Sequence, residues 1–513
     1  MTQIRTATAD GAAAAADIAV DDPATGEVIG HVADSTAQQV AAAVSQARWA
    51  QADWAGTSAR TRAQLFASAR RWLLAHSREI TDSIVAENGK AEEDALVEIL
   101  YCASAFAYWA KHAPGLLAEK KIRSLSPFVL GRSMYTRRAP LGVVGVIGPW
   151  NNPLINSFGD AIPALAAGNA VVLKPSEYTP LTALLMQRMA RECGWPEGVF
   201  QIVTGAGATG QALVDEVDFV MFTGSTRTGR AVAARAGQRL IPCSLELGGK
   251  DALIVLADAS IERAVNVALH GALFNGGQMC TSVERVYVEA PVYDAFVKRL
   301  EERFREVTLG PSTGLGTTDV GAMTFPPQID IVEEHIQDAV SRGARVLVGG
   351  KRVPGPGRFF DPTLLVDVDH TMKCMREETF GPTLPVMKVA NTEEAVRLAN
   401  DSEYGLQASI IGGNMRRARQ LAAQLEAGCV TVNDAQINYM ALGLPMGGWK
   451  GSGLGVRHGA EGILKYTKLQ AVSVNRFPMH RDLHMLPYAP ETYRRIMRLA
   501  NAMYGKGLRP GAK

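Results

Sequence analysis

The chain predicts an α/β protein made of two doubly wound parallel-sheet lobes, on three observations. From Leu141 onward short apolar, β-rich runs alternate with amphipathic stretches; a helix-patterned segment precedes them; and 513 residues correspond to about three domains or lobes at roughly 150 residues each. Strands that alternate with helices are joined by crossovers, so they lie parallel, with helices covering both faces of the sheet.

Taken in order, residues 1–17 are Ala-rich and are expected to form a disordered tail. Residues 35–117 carry apolar positions at helical spacing, as in Leu65, Phe66, Ala69 and Leu73, and predict a helical region. Residues 123–142, RSLSPFVLGRSMYTRRAPLG, read as two extended arms, either a surface hairpin or an oligomer contact. The first strand series is VVGVIG (143–148), AVVLK (170–174), VFQIV (199–203) and FVMF (219–222). A second follows with DALIVL (251–256), RVYVE (285–289), LPVMKV (384–389), ASII (408–411) and CVTV (429–432), separated by helical patterns over 291–306, 328–342 and 414–426. Near the C-terminus Ile496, Met497, Leu499, Ala500 and Met503 form an apolar helix face beside Arg494, Arg495 and Arg498. Docking on protein, not membrane contact, is the expectation for that basic amphipathic helix.

Composition removes several function classes. Lys+Arg 53 against Asp+Glu 51 gives a net charge of +2, which does not supply the concentrated basic face that nucleic-acid binding needs. The six cysteines have no C-x-x-C pair or regular spacing, so neither a disulfide framework nor a thiolate metal site is expected, and no metal is assigned. The first 20 residues lack the apolar core of a signal peptide, and no apolar run reaches the ~18 residues of a membrane span. A cytoplasmic protein is expected.

Chemistry concentrates in loops that follow strands or helices. Cys280 sits in FNGGQMCT (274–281), where a Gly-Gly loop lets backbone amides and a substrate approach a thiolate. Glu246, in SLELGGKDA (244–252), ends an apolar strand. A carboxylate there points into the crevice where α/β sheets bind ligands, and partial burial raises its pKa toward that of a general base. In GPWNNP (148–153), Asn151 offers an amide N–H to an oxyanion. KPSEYTP (174–180) supplies a cation and a carboxylate. FTGSTRTG (222–229) puts small residues at a strand-to-helix turn, a place that favours a pyrophosphate, although it is not the G-x-G-x-x-G fingerprint.

Together with EETFGP (377–382) and PMGGWKGSG (445–453), these motifs, seven in order, resemble the aldehyde dehydrogenase superfamily from about Asp21 to Asn475. The resemblance implies an aldehyde dehydrogenase-like fold: a modified Rossmann cofactor domain (18–121 and 141–249), a catalytic domain (250–455), a small oligomerisation or bridging element (122–140 and 456–485) and a C-terminal extension (486–513). It implies a homodimer or homotetramer, a small-molecule aldehyde substrate and a nicotinamide cofactor. By motif, Cys280 is the nucleophile, Asn151 with the Cys280 backbone amide holds the oxyanion, and Glu246 is the base that activates the deacylating water. Lys174 and Glu177 fall at the adenosine ribose, Gly224 and Ser225 at the pyrophosphate, and Trp150, Gly248, Glu378 and Phe380 along the rest of the cofactor. Asn152, Asn156, Phe274, Met279, Thr281 and Met446 are assigned to the substrate pocket.

Two side-chain arguments refine this. Glu177 accepts hydrogen bonds from a ribose 2′-OH but repels a 2′-phosphate, which favours NAD over NADP; Lys174 and Arg227 soften that preference. Many relatives carry aromatic residues where Asn152 and Met446 stand here, so a wider, more polar tunnel and a bulky aliphatic or aromatic aldehyde are expected. No Arg stands at the motif-matched tunnel positions, which weighs against a semialdehyde that carries a carboxylate. Arg457 and Lys468 stand where many relatives have acids, a departure that bears on deacylation and assembly. The alternatives are a CoA-acylating or semialdehyde dehydrogenase, or a catalytically idle family member; Cys280, Glu246 and Asn151 together weigh against the last.

Overall fold

Each strand series becomes one sheet in the computed structural model, which describes residues 17–123, 129, 131–478, 480–482, 485–488 and 491–505. Residues 1–16 of the expected tail lie outside these, as do parts of the arms and of the C-terminal extension; Asp17 opens the strand Asp17–Asp21. The described residues up to Leu116 and from Pro140 to Tyr466 form one unit, and those of 117–139 with those from Thr467 onward form a second.

The helical region is four helices: Ala37–Gly56, Ala59–Ala75, Ser77–Asn88 and Glu92–Leu117. The first begins at a reciprocal cap in which the Thr36 hydroxyl accepts from Gln39 N (3.3 Å) and the Gln39 side chain accepts from Thr36 N (2.9 Å), satisfying two otherwise orphaned amides. The third ends at Gly89, whose left-handed φ of 82° closes the helix.

The first sheet runs in the order Gly453–Leu454, Cys243–Glu246, Phe219–Thr223, Val143–Ile147, Ala170–Lys174, Phe200–Ile202. It is parallel except for the edge strand Gly453–Leu454. Its strands are buried throughout at Val143–Ile147, Ala170–Lys174 and Phe219–Thr223, which is why they read as continuous apolar runs. Val40, Val44 and Ala47 of the first helix close one face over Val143, Ala170 and Val172. Each such fully buried valine contributes about 1.5–3 kcal/mol.

The second sheet runs Arg345–Val348, Thr363–Val366, Thr383–Val389, Val283–Glu289, Asp251–Val255, Gln407–Ile411, Cys429–Val432, with only Arg345–Val348 antiparallel to its neighbour. Alternation along Asp251–Val255 divides the core: Ala252 and Ile254 join one apolar layer, Leu253 and Val255 the other. The strands Arg345–Val348 and Thr363–Val366 were not expected from the sequence. Each is four residues long, and the first is a half-exposed edge, so neither shows the long apolar run that marks its neighbours.

In the second unit, the later of the expected arms is the strand Arg132–Pro140; it pairs antiparallel with Lys120–Ile122, which lies just before the expected arms, and the two share a three-stranded sheet with Thr467–Asn475, while most of the earlier arm lies outside the described residues. The C-terminal helix Thr492–Tyr504 buries none of its side chains. Among the described residues no helix is long and apolar enough to cross a membrane. Residues 456–466, expected in the bridging element, pack in the first unit, where Arg457, His458, Ile463 and Tyr466 are buried.

Candidate active site

Parallel register brings the carboxyl ends of the first sheet together. Ile147 pairs with Lys174 and with Phe222, and Thr223 pairs with Glu246, so the loops GPWNNP, KPSEYTP, FTGSTRTG and LELGGK leave one edge, where α/β sheets bind ligands. Cys280 comes from the second sheet's side, in the loop between the helix Ile261–Leu273 and the strand Val283–Glu289. That loop needs its glycines: Gly277 has φ 73°, and a Cβ there would lie 2.1 Å from the Gly381 carbonyl oxygen.

Cys280, Glu246, Asn151 and Asn156 line one cleft with a cavity of about 250 Å³. Trp150, Gly224, Ser225, Gly248, Glu378 and Phe380 line it as well. The remaining expected residues do not. Lys174 is buried and donates to Gly205 O (2.7 Å), with Glu177 Oε2 3.5 Å away. Asn152 turns from the cleft: its Oδ1 accepts from Lys90 Nζ (3.0 Å) and its Nδ2 donates to Met279 Sδ (2.9 Å). Its expected place in a substrate pocket is corrected accordingly, because the neighbouring buried ammonium claims its amide. Phe274 borders a different cavity, beside His270 and Arg303. Thr281 and Met446 are buried, and Met446 pairs backbone to backbone with Arg457.

The electrostatics separate the groups. The Glu246 residue is 3% exposed and both its carboxylate oxygens lack a partner; burial pushes its pKa up to about 7, opposed by the charges of Arg457 and Lys465. Burial pushes the Cys280 thiol up to about 12, and the nearby Asp251, Glu246 and Glu378 carboxyls add to this against the Arg457 charge. Glu378 is raised to about 8 by burial and by Glu284, although its Oε1 accepts from Gly249 N (2.8 Å). One amide hydrogen of Asn151 Nδ2 goes to Gln278 O (2.8 Å). The amide carries a second.

Several supporting residues carry no local signal in the sequence. Lys90, wholly buried, donates to Glu98 (2.7 Å), to Asn151 O (2.9 Å) and to Asn152, while the other Glu98 oxygen accepts from Leu154 N and Ile155 N. Glu284 accepts from Thr379 N, Phe380 N and Lys250 Nζ, and so fixes the Glu378–Phe380 turn. Phe325, Gln328 and Ile331 add to the lining. Trp150 stacks on Phe325 (5.8 Å) and meets Phe380 edge-on (5.4 Å). Among the described residues no group of three or more His, Cys, Asp or Glu side chains is placed to hold a metal ion.

Residues 10–472 match the model of the aldehyde dehydrogenase family. The chain belongs to that family. It is 40% identical over 460 residues (89% of this chain, 88% of the other) to a Mycobacterium ulcerans protein named "Putative succinate-semialdehyde dehydrogenase [NADP(+)] 2". It is 38% identical over 496 residues (95% and 92%) to a 4,4′-diapolycopene aldehyde oxidase of Methylomonas. Its fold superposes on a lactaldehyde dehydrogenase from Escherichia coli with a TM-score of 0.86 at 36% identity, covering 90% of this chain and 96% of that one. This aldehyde dehydrogenase is therefore an oxidoreductase acting on aldehydes, in a family that uses NAD or NADP.

The cleft fits a dinucleotide. Ser225 caps the helix Thr226–Gln238, accepting from Thr228 N, and the free amides of that first turn suit a pyrophosphate. Gly248 leaves open space that a Cβ would close, since one there would lie 2.4 Å from Glu378 Oε2.

Proposed function

We propose that this aldehyde dehydrogenase oxidises a bulky, uncharged aldehyde to its carboxylic acid through a covalent Cys280 intermediate, with NAD preferred. The convergence of Cys280, Glu246 and Asn151 on one cleft carries the proposal. Cys280 Sγ attacks the aldehyde carbon. Burial pushes its thiol up to about 12, so the sulfur attacks as its proton passes to solvent in the cleft, and Glu246, unpaired in the same cleft, stays free for the later hydrolysis. The second Asn151 amide hydrogen and the Cys280 backbone N–H hold the resulting oxyanion. A nicotinamide held by Trp150, Gly248, Glu378 and Phe380 supplies one thing when bound, an acceptor for the hydride that the carbon gives up, which leaves a thioester on Cys280. Glu246, ionised above about pH 7, then takes a proton from a water molecule as the water oxygen attacks the thioester carbon, and hands that proton to the Cys280 sulfur as the acid leaves; the one proton released per turnover is the one the thiol gave to solvent.

NAD preference rests on Glu177. Its neighbour Lys174 donates to Gly205 O and lies 3.5 Å from Glu177 Oε2, which holds the half-buried carboxylate at the turn, where it would accept from a ribose 2′-OH and repel a 2′-phosphate. Choice of a bulky, uncharged substrate rests on the cleft, whose described lining contains no Lys or Arg and includes Asn156, Phe325, Ile331 and Phe380. The relative that acts on 4,4′-diapolycopene aldehyde supports it. A semialdehyde read with NADP is the second reading, favoured by the name of the Mycobacterium ulcerans relative. Reduced-nicotinamide absorbance with both cofactors and a panel of short, long-chain, aromatic and semialdehyde substrates decides. Higher kcat/KM for long or aromatic aldehydes with NAD supports the proposal, and a preference for succinic semialdehyde with NADP overturns it.

A further inference from the structure

Arg457 and Asp160 lie 297 residues apart and form a buried, two-pronged ion pair, Nε to Oδ1 at 2.8 Å and Nη2 to Oδ2 at 2.7 Å. Nη2 also donates to Thr223 Oγ1 (2.8 Å). Thr223 is the register partner of Glu246 on the adjacent parallel strand, and registered residues of parallel strands present their side chains on the same face. The guanidinium is thus anchored one strand away from Glu246, over the ends of the strands that form the cleft. Its remaining nitrogen, Nη1, is buried without a partner, and so are both oxygens of Glu246. An open donor and an open acceptor thus lie enclosed beside the cleft.

We propose that Arg457 is a positioning residue for deacylation: locked by Asp160 and Thr223, its guanidinium supplies the positive charge that keeps the unpaired Glu246 carboxylate ionised and ready to accept a proton. This rests on the reading of Glu246 as the base. The charges that act on Glu246 from the surrounding elements are Arg457, Lys465 and Asp160, and the titratable groups that in turn face its charge are Cys280, Cys429, Tyr101 and Tyr466. Arg457 is the strongest of the charges that lower its proton affinity, with Lys465 second, and Asp160 opposes them. Asp160 therefore orients the cation while its own charge works against it, and the net effect of the pair favours the ionised base.

The test compares wild type with Arg457→Gln, Arg457→Lys and Lys465→Met. Two readouts are followed against pH: kcat under conditions where thioester hydrolysis limits turnover, and the infrared carboxyl signal of Glu246 in cofactor-free protein, assigned by subtracting the Glu246→Gln spectrum. Arg457→Gln should move both midpoints upward by roughly one pH unit, a loss of about fivefold at pH 7 that is regained at high pH. Arg457→Lys should restore most of the shift, and Lys465→Met should shift less than Arg457→Gln. An equal loss at every pH with unmoved midpoints overturns the proposal. If Arg457→Gln does not fold, the Asp160→Asn, Arg457→Gln double variant leaves no unpaired buried charge and should still shift upward, by less; a downward or absent shift overturns the proposal. Should Glu246→Gln keep wild-type hydrolysis, the base reading fails, while the infrared midpoints still report whether Arg457 controls that carboxyl.

Discussion

Two buried polar regions flank the Asn151 loop and differ in one respect. Around Lys90 and Glu98 the ammonium has three acceptors, and both carboxylate oxygens are taken by Lys90 and two backbone amides. Around Glu246, the carboxylate, the Asn156 Nδ2, the Thr281 Oγ1 and the Arg457 Nη1 are as deeply enclosed and have no partner. A buried polar group without a partner costs about 1–3 kcal/mol, more if charged. The saturated cluster fits a scaffold, and the unsaturated one fits the proposed site, where substrate and water would bring the missing partners.

Replacing the proposed nucleophile strikes the unsaturated region hardest. Cys280→Ala should lower aldehyde oxidation by about 10⁴-fold or more while cofactor affinity, measured by fluorescence titration, stays near wild type. The matching test of the saturated region is Glu98→Gln, which leaves the Lys90 charge buried and unpaired; denaturant unfolding should show a loss of about 3–5 kcal/mol.

Glu246→Gln should act in the opposite sense on stability. Its folded pKa, about 7, lies above the 4.5 of a free glutamate, so the native carboxyl opposes folding increasingly as pH rises from 4.5 through 7. The variant should be more stable than wild type by roughly 3 kcal/mol at pH 8 and nearly indistinguishable near pH 4, read from unfolding curves at the two pH values. Equal stabilisation at both would show that Glu246 is not held under strain by burial. The smallest effect is expected at the rim: Glu177→Ser should raise kcat/KM for NADP relative to NAD by about tenfold, since only a half-exposed carboxylate is removed.

Much of the site was legible because its markers are local. Gly-Gly after Glu246, Gly-Gly before Cys280 and a strand before Asn151 are short-range patterns, and parallel register brings strand ends together whenever such loops follow them. Strands such as Ala170–Lys174 were equally readable, since burial on both faces leaves an unbroken apolar run. Partner choice across the chain was not. Nothing near Asn152 says that Lys90, 62 residues away, will claim its side chain, and nothing near Arg457 names Asp160. A buried ion pair is specified by the fold that encloses it, and either member alone reads as an ordinary surface charge. Phe274 shows the same limit: six residues before Cys280, it lies across a left-handed turn at Asn275–Gly277 that sends it to another cavity.

In the proposed mechanism Cys280 carries the acyl group and Glu246 brings about its release. Peptide mass spectrometry of Glu246→Gln, quenched after mixing with NAD and a long-chain aldehyde, tests it directly. The account predicts a stoichiometric acyl group on the peptide that contains Cys280, formed with one equivalent of reduced cofactor and cleared slowly. Sustained turnover with no acyl group on Cys280, or an acyl group on another cysteine, would contradict it.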